Sequence, residues 1–138
     1  MLTITRFDQN ARYIFLPIFV TTENGKRCEF DAILDTGAPQ TEFSDEALHF
    51  AGFIPEPKKK ITIQSGLQTQ KYSNIILPKV ELCSHPLSNL KVYVSHFEKS
   101  WGIDALIGLD FFRKFRVTID YQQGQILAEV FVSSTTKT

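Results

Sequence analysis

Short apolar-rich segments separated by turn signals run along most of the chain, and helical periodicity surfaces only briefly. That pattern predicts an all-β domain of many short strands. Residues 12–21 and 27–34 flank Glu23-Asn24-Gly25-Lys26. Asn-Gly tolerates positive φ at both positions, which makes it the strongest short hairpin signal. Ser44 is placed to cap a helix over 45–51, with Asp45 and Glu46 in the first turn and Gly52 just past the end. Pro55, Pro57 and Lys58-Lys59-Lys60 read as a solvated connection. Ile61-Thr62-Ile63-Gln64 alternates with period two, Ser65-Gly66 offers a turn, and 67–77 returns as a long strand. Strands are further expected over 80–83, 90–94 and 104–107, broken at His85-Pro86 and around Trp101-Gly102. Asp110 is expected to N-cap a helix over 111–115, and 117–121 is expected to pair with 125–132 across Gln123-Gly124. The polar tail over 133–138 is expected to fray.

One internal echo stands out. Ile33-Leu34 precede Asp35-Thr36-Gly37, Leu106-Ile107 precede Gly108, and a predicted helix follows each. The halves resemble a degenerate duplication with an acid in only one of them.

Composition narrows the class. A chain of 138 residues has the modal size of one domain, so one domain over 1–132 is expected. Its 43% hydrophobic content, with 12 Phe, 4 Tyr and 1 Trp, supplies a core and excludes disorder as the overall state. Fifteen Lys and Arg against fifteen Asp and Glu give zero formal charge, which lacks the electrostatic footprint of a nucleic-acid binder. The longest apolar run, 13–20, contains Pro17 and falls far short of the roughly 20 residues of a membrane-spanning helix, so no membrane partner is expected. The N-terminus has no signal-peptide pattern, and a cytoplasmic location is expected. Cys28 and Cys83, the two cysteines, make no secreted-type framework and are expected to be reduced and structural.

Candidate chemistry gathers at Asp35-Thr36-Gly37-Ala38. The acid follows Ala32-Ile33-Leu34, all apolar, so it emerges from the end of a buried strand. Asp can act as acid or base, a Thr hydroxyl can lock a loop, and Gly permits close backbone approach. A plain Asx-type turn accounts for the same letters. Phosphoryl chemistry lacks a second acid nearby and a phosphate-cradling Gly-rich loop.

Several ordered motifs together resemble the retropepsin-like aspartic proteases. They are Ile33-Leu34-Asp35-Thr36-Gly37-Ala38 with Thr41 three residues on, a hairpin carrying Gly66 where that family's flap lies, and Ala105-Leu106-Ile107-Gly108-Leu109-Asp110-Phe111-Phe112. Val117-Thr118-Ile119-Asp120 and a turn with Gly124 follow, in a pattern closer to the bacterial and DNA-damage-inducible cellular branch than to the viral one. The resemblance implies a closed, mostly antiparallel β-barrel with one or two short helices. It also implies an endopeptidase acting on an extended polypeptide, working as a homodimer in which one Asp35 from each chain meets its twin. Thr36 would bond between subunits, Gly37 and Ala38 would support the active-site loop, and Ser65, Gly66 and Leu67 would belong to the flap over the substrate. Leu106, Ile107 and Gly108 would pack beside the catalytic loop, and no metal or organic cofactor would be required. Pro39 stands where viral enzymes carry an Asp whose N–H meets substrate, and Leu109 replaces a dimer-supporting Arg. A peptide-binding or dimerisation module without turnover is the alternative on the same fold.

Other residues point to less. Cys83 and His85 alternate onto one strand face and could be drawn with His96 and Cys28 as a zinc site, but the spacing matches no usual ligand set. Neither thiol is marked as an activated nucleophile. His49 is expected on the short helix as an ordinary half-exposed residue. Asp104 and Asp110 are expected as a strand-entry residue and a helix cap.

Overall fold

Alternation along the first hairpin sets the inner wall of the molecule. In strand β2 (Phe15–Thr21) Leu16, Ile18 and Val20 point inward, and in β3 (Arg27–Leu34) Cys28, Phe30 and Ala32 do the same. The two pair antiparallel from Phe15↔Ile33 to Thr21↔Arg27, with Gly25 at φ 82° in the connecting turn. The computed structural model describes residues 1–55 and 70–131. The expected strand over 61–64, the Ser65-Gly66 turn, the flap residues through Leu67 and the tail over 133–138 lie outside them.

The remaining elements follow in order: β4 (Glu42–Ser44), α1 (Asp45–Phe50), β5 (Gln70–Leu82), β6 (His85–His96), β7 (Ala105–Ile107), α2 (Leu109–Phe112), β8 (Phe115–Asp120) and β9 (Gln125–Val130). Ser44 caps α1 as expected, its hydroxyl accepting the Ala47 N–H at 3.3 Å. Six strands close into a barrel in the order β2-β3-β7-β4-β6-β5, filled by Phe43, Leu48, Leu77, Val92, Val94 and Ile107. The pairing is mixed: β3–β7 and β4–β6 are parallel, and the other barrel contacts are antiparallel. No helix among the described residues is long and apolar enough to cross a membrane.

Three expectations are corrected. The strands expected over 67–77 and 80–83 run together as β5, and the break expected at His85-Pro86 falls earlier, where β5 and β6 form one long hairpin turning at Cys83 and Ser84, with φ 52° and 61°. Pro78 is tolerated because β5 meets β2 only from Lys79 onward, so among the described residues Pro78 has no ladder partner on that edge. Strand β2 begins at Phe15 and not at Arg12. The second helix begins at Leu109 after an N-cap at Gly108, so Asp110 lies inside its first turn and does not cap it.

A strand not expected from the sequence, β1 (Leu2–Arg6), pairs with β9, and β9 with β8, in a second sheet. This sheet packs against the β5–β6 turn. Thr3 is buried and its hydroxyl donates to the Cys83 carbonyl at 2.6 Å, while the His85 ring lies 4.7 Å from that of Phe115.

Candidate active site

Strand β7 lies between β3 and β4, so the segment joining β3 to β4 must arch over the end of β7. Asp35 opens that arch. Its N–H donates to the Ile107 carbonyl at 2.9 Å, its carbonyl accepts the Ala38 N–H at 3.1 Å, and its Oδ1 accepts the Gly37 N–H at 3.0 Å. The Asx-type turn weighed from the sequence is therefore physically present. It occupies one carboxylate oxygen only. Oδ2 accepts no hydrogen bond among the described residues, so the half-buried carboxylate is oriented without being saturated.

The first residues of α2, just past β7, brace the arch. The Leu109 N–H donates to Ala38 O at 2.8 Å and the Asp110 N–H to Pro39 O at 3.2 Å. Between them Gly108 is buried so tightly that a Cβ would stand 2.7 Å from the Gln40 carbonyl carbon and 2.8 Å from Ala38 O. Glycine is required here by space, since its φ of −100° is open to any residue. Buried Thr41 ends the arch, its N–H and hydroxyl donating to Asp110 Oδ2 and Oδ1 at 2.9 and 2.7 Å. The same hydroxyl accepts the Gly108 N–H at 3.2 Å. Asp110 is thus a structural clamp, which its expected role as a helix cap did not anticipate.

Asp35 faces a cleft of about 430 Å³. Phe15, Ile33, Ile103 and Leu106 make its wall apolar, with Trp101 on the rim and Arg12 and Tyr13 beside them. The Tyr13 and Phe15 rings meet edge to face at 6.3 Å, and Trp101 leans on buried Phe97 at 5.9 Å. Such a cleft, apolar with a few polar groups, has the usual character of a ligand site. Thr36 and Gly37 are exposed and Ala38 is half-buried. The Thr36 hydroxyl has no hydrogen-bond partner among the described residues.

A profile of the family described as "gag-polyprotein putative aspartyl protease" matches residues 20–114, a span that includes both the Asp35 arch and the Gly108 bed. The chain belongs to this aspartyl protease family. Its fold is that of a retropepsin-like aspartic protease from Rickettsia conorii, with TM-score 0.62 and 20% identity over 93% of this chain and 89% of that one. The retroviral protease-like domain of Ddi1 from Leishmania major is also similar, with TM-score 0.58 and 14% identity over 91% and 98%. No curated protein matches the sequence significantly.

The arrangement in this aspartyl protease family member sorts the residues that the sequence singled out. Asp35, Ile33 and Leu106 come together at the cleft, and buried Ile107 and Gly108 lie directly behind the arch. Arg12, Tyr13, Phe15 and Trp101 were not predicted as site residues. The lone Trp beside Gly102 was the one available signal.

The residues drawn as a zinc site are engaged elsewhere. Cys83 sits in the β5–β6 turn while His85 begins β6, so they do not share a strand face. His85 Nε2 lies 3.1 Å from Ala128 O, and His96 Nδ1 lies 3.3 Å from fully buried Asp45. Burial pushes the Cys83 thiol above its ordinary value of 9.0, against a smaller opposing effect of its hydrogen bond with Thr5. Asp104 accepts the Asp31 N–H at 2.9 Å, the strand-entry role expected of it.

Proposed function

We propose that the protein is an aspartic endopeptidase that hydrolyses peptide bonds of an extended polypeptide through a pair of Asp35 side chains, one from each of two copies. The observation carrying this reading is that, among the described residues, Asp35 is the sole carboxylate lining the cleft and holds one oxygen pinned and one without a partner. Hydrolysis by this chemistry needs a charged base and a protonated acid together. One chain supplies only one such group, and a second copy supplies the other.

Two carboxylates about 3 Å apart do not both ionise readily, so the pair shares a proton over a range set by two apparent pKa values of the dyad. The ionised member takes a proton from water as the oxygen attacks the scissile carbonyl carbon. The protonated member donates a hydrogen bond to the carbonyl oxygen. A proton then passes to the amide nitrogen as the C–N bond breaks. The exposed Thr36 hydroxyl and Gly37 backbone are available to the second copy and to substrate, and an extended peptide would bind as an added strand. Buried, unpaired Cys28 and Cys83 support a reducing, cytoplasmic setting.

Mixing wild-type and Asp35→Asn chains tests the pairing. After complete exchange, an equal mixture should retain about one quarter of the activity, with a quadratic dependence on wild-type fraction. A linear decline would show that Asp35 acts without its twin. Binding of peptides that carry a hydroxyl in place of the scissile carbonyl, with no cleavage of any peptide by the wild type, would identify a binding module instead.

A further inference from the structure

Arg12 lies outside the ladder of β2 and faces the cleft that Asp35 occupies. Among the described residues lining that cleft it is the one cationic side chain. Other arginines are committed elsewhere: Arg27 pairs with Glu81 at 2.8 Å and sits 3.8 Å over the Phe19 ring, and Arg116 approaches Glu129 at 3.9 Å. Arg12 is exposed and forms no ion pair among the described residues. It does not pair with Asp35 although both line one cleft, so the cation and the anion stand at separate places on its wall.

The cleft's 430 Å³ falls within the roughly 300–1,000 Å³ of sites for drug-sized ligands, room for more than one side chain. An extended peptide directs alternate side chains to one face, about 6.6 Å apart. Of two such side chains, the one nearest Asp35 meets Ile33, Phe15 and Leu106. An apolar side chain fits there, and a carboxylate would be opposed by the charge of Asp35. The other can reach the guanidinium, whose planar fork matches a carboxylate.

We infer that Arg12 is a specificity-determining residue that selects substrates with an Asp or Glu two positions from a large apolar residue at the scissile bond. This rests on the proposed peptidase reading and deepens it. A solvated surface arginine with no role in recognition is the competing account, and the two differ in what charge reversal does.

The test uses fluorescent peptides with a central Phe and with Glu, Gln or Lys two residues to either side. Binding is measured by anisotropy on Asp35→Asn protein, with and without Arg12→Glu, so the readout needs no turnover. The Glu peptide should bind about tenfold tighter than the Lys peptide, and Arg12→Glu should reverse that order. Wild-type kcat/KM should follow the same ranking. Equal affinities for the three peptides, or a ranking that Arg12→Glu leaves unchanged, would overturn the role of Arg12 whatever the enzyme cleaves. The expected binding order without cleavage by wild-type protein would instead support Arg12 and reject the peptidase reading.

Discussion

The turn at Asp35 and the turn at Gly108 share a plan and use it oppositely. The apolar pairs leading into them are direct neighbours, Ile33 opposite Leu106 and Leu34 opposite Ile107 on parallel strands. Past that point the first turn rises toward the cleft with its carboxylate, while the second carries no side chain and lies buried beneath it. An acid lies near each turn, Asp35 within the first and Asp110 two residues past Gly108. Among the described residues Asp35 accepts one hydrogen bond through its side chain, whereas Asp110 accepts from Thr41 N, Thr41 Oγ1 and, at 2.9 Å, from Phe111 N. The carboxylate proposed to exchange protons keeps one oxygen without a partner among the described residues, and the one that holds the loop is bonded through both.

Substituting the two acids in parallel puts that division to its strongest test. Asp35→Asn should lower peptide hydrolysis by about 10²–10⁴-fold and leave the urea midpoint essentially unchanged. Asp110→Asn should destabilise the fold by about 1–3 kcal/mol, because an amide cannot accept every bond that the carboxylate does. Loss of hydrolysis in Asp110→Asn at wild-type stability would erase the distinction between reactive and bracing acids.

The glycines sharpen the same contrast. A Cβ at Gly108 meets backbone at 2.7 Å, whereas one at Gly37 meets only Asp35 Oδ1, at 3.3 Å. Gly108→Ala should cost about 1–3 kcal/mol. Gly37→Ala should stay within about 0.5 kcal/mol while impairing hydrolysis, because the contacted oxygen belongs to the proposed catalytic group. Denaturant titration of both variants alongside peptide assays checks the pair, and equal stability losses would contradict it.

The smallest effect lies away from both turns. The raised pKa of buried Cys83 means that above about 9.0 the unfolded thiol ionises while the folded one stays protonated. Stability is then fully present below that value and declines as pH rises toward the folded-state pKa, by at most about 1.4 kcal/mol per pH unit. Cys83→Ala should flatten this alkaline slope in thermal melts between pH 8 and 10. An unaltered slope would assign the alkaline loss to other groups.

Features encoded by neighbouring residues were legible in the sequence. Asn24-Gly25 marks the β2–β3 hairpin and Ser44 marks α1, because hairpin and cap signals act within a few residues. Strand β1 escaped because its apolar residues point the wrong way: Leu2 and Ile4 are 49% and 56% exposed, and Thr3 is the buried one. Only pairing with β9, more than a hundred residues away, fixes that face. The prolines misled for a related reason, since sequence alone does not reveal which partner strands reach each position. At the site, Asp35 was legible because its residue type announces chemistry. Arg12, Tyr13 and Trp101 reach the cleft only through the closure of the barrel.

The threading of β7 beneath the Asp35 arch also governs when the proposed catalytic carboxylate can take its orientation. Thr41 and its clamp Asp110 are 69 residues apart in sequence, so the arch is a high-contact-order element whose closure entropy is met late. A chain emerging from the ribosome carries Asp35 long before β7 and α2 are available to seat it. The first half alone lacks the bed that shapes the arch. Assembly of the barrel therefore doubles as a delay, and the oriented carboxylate appears only when most of the domain is already in place.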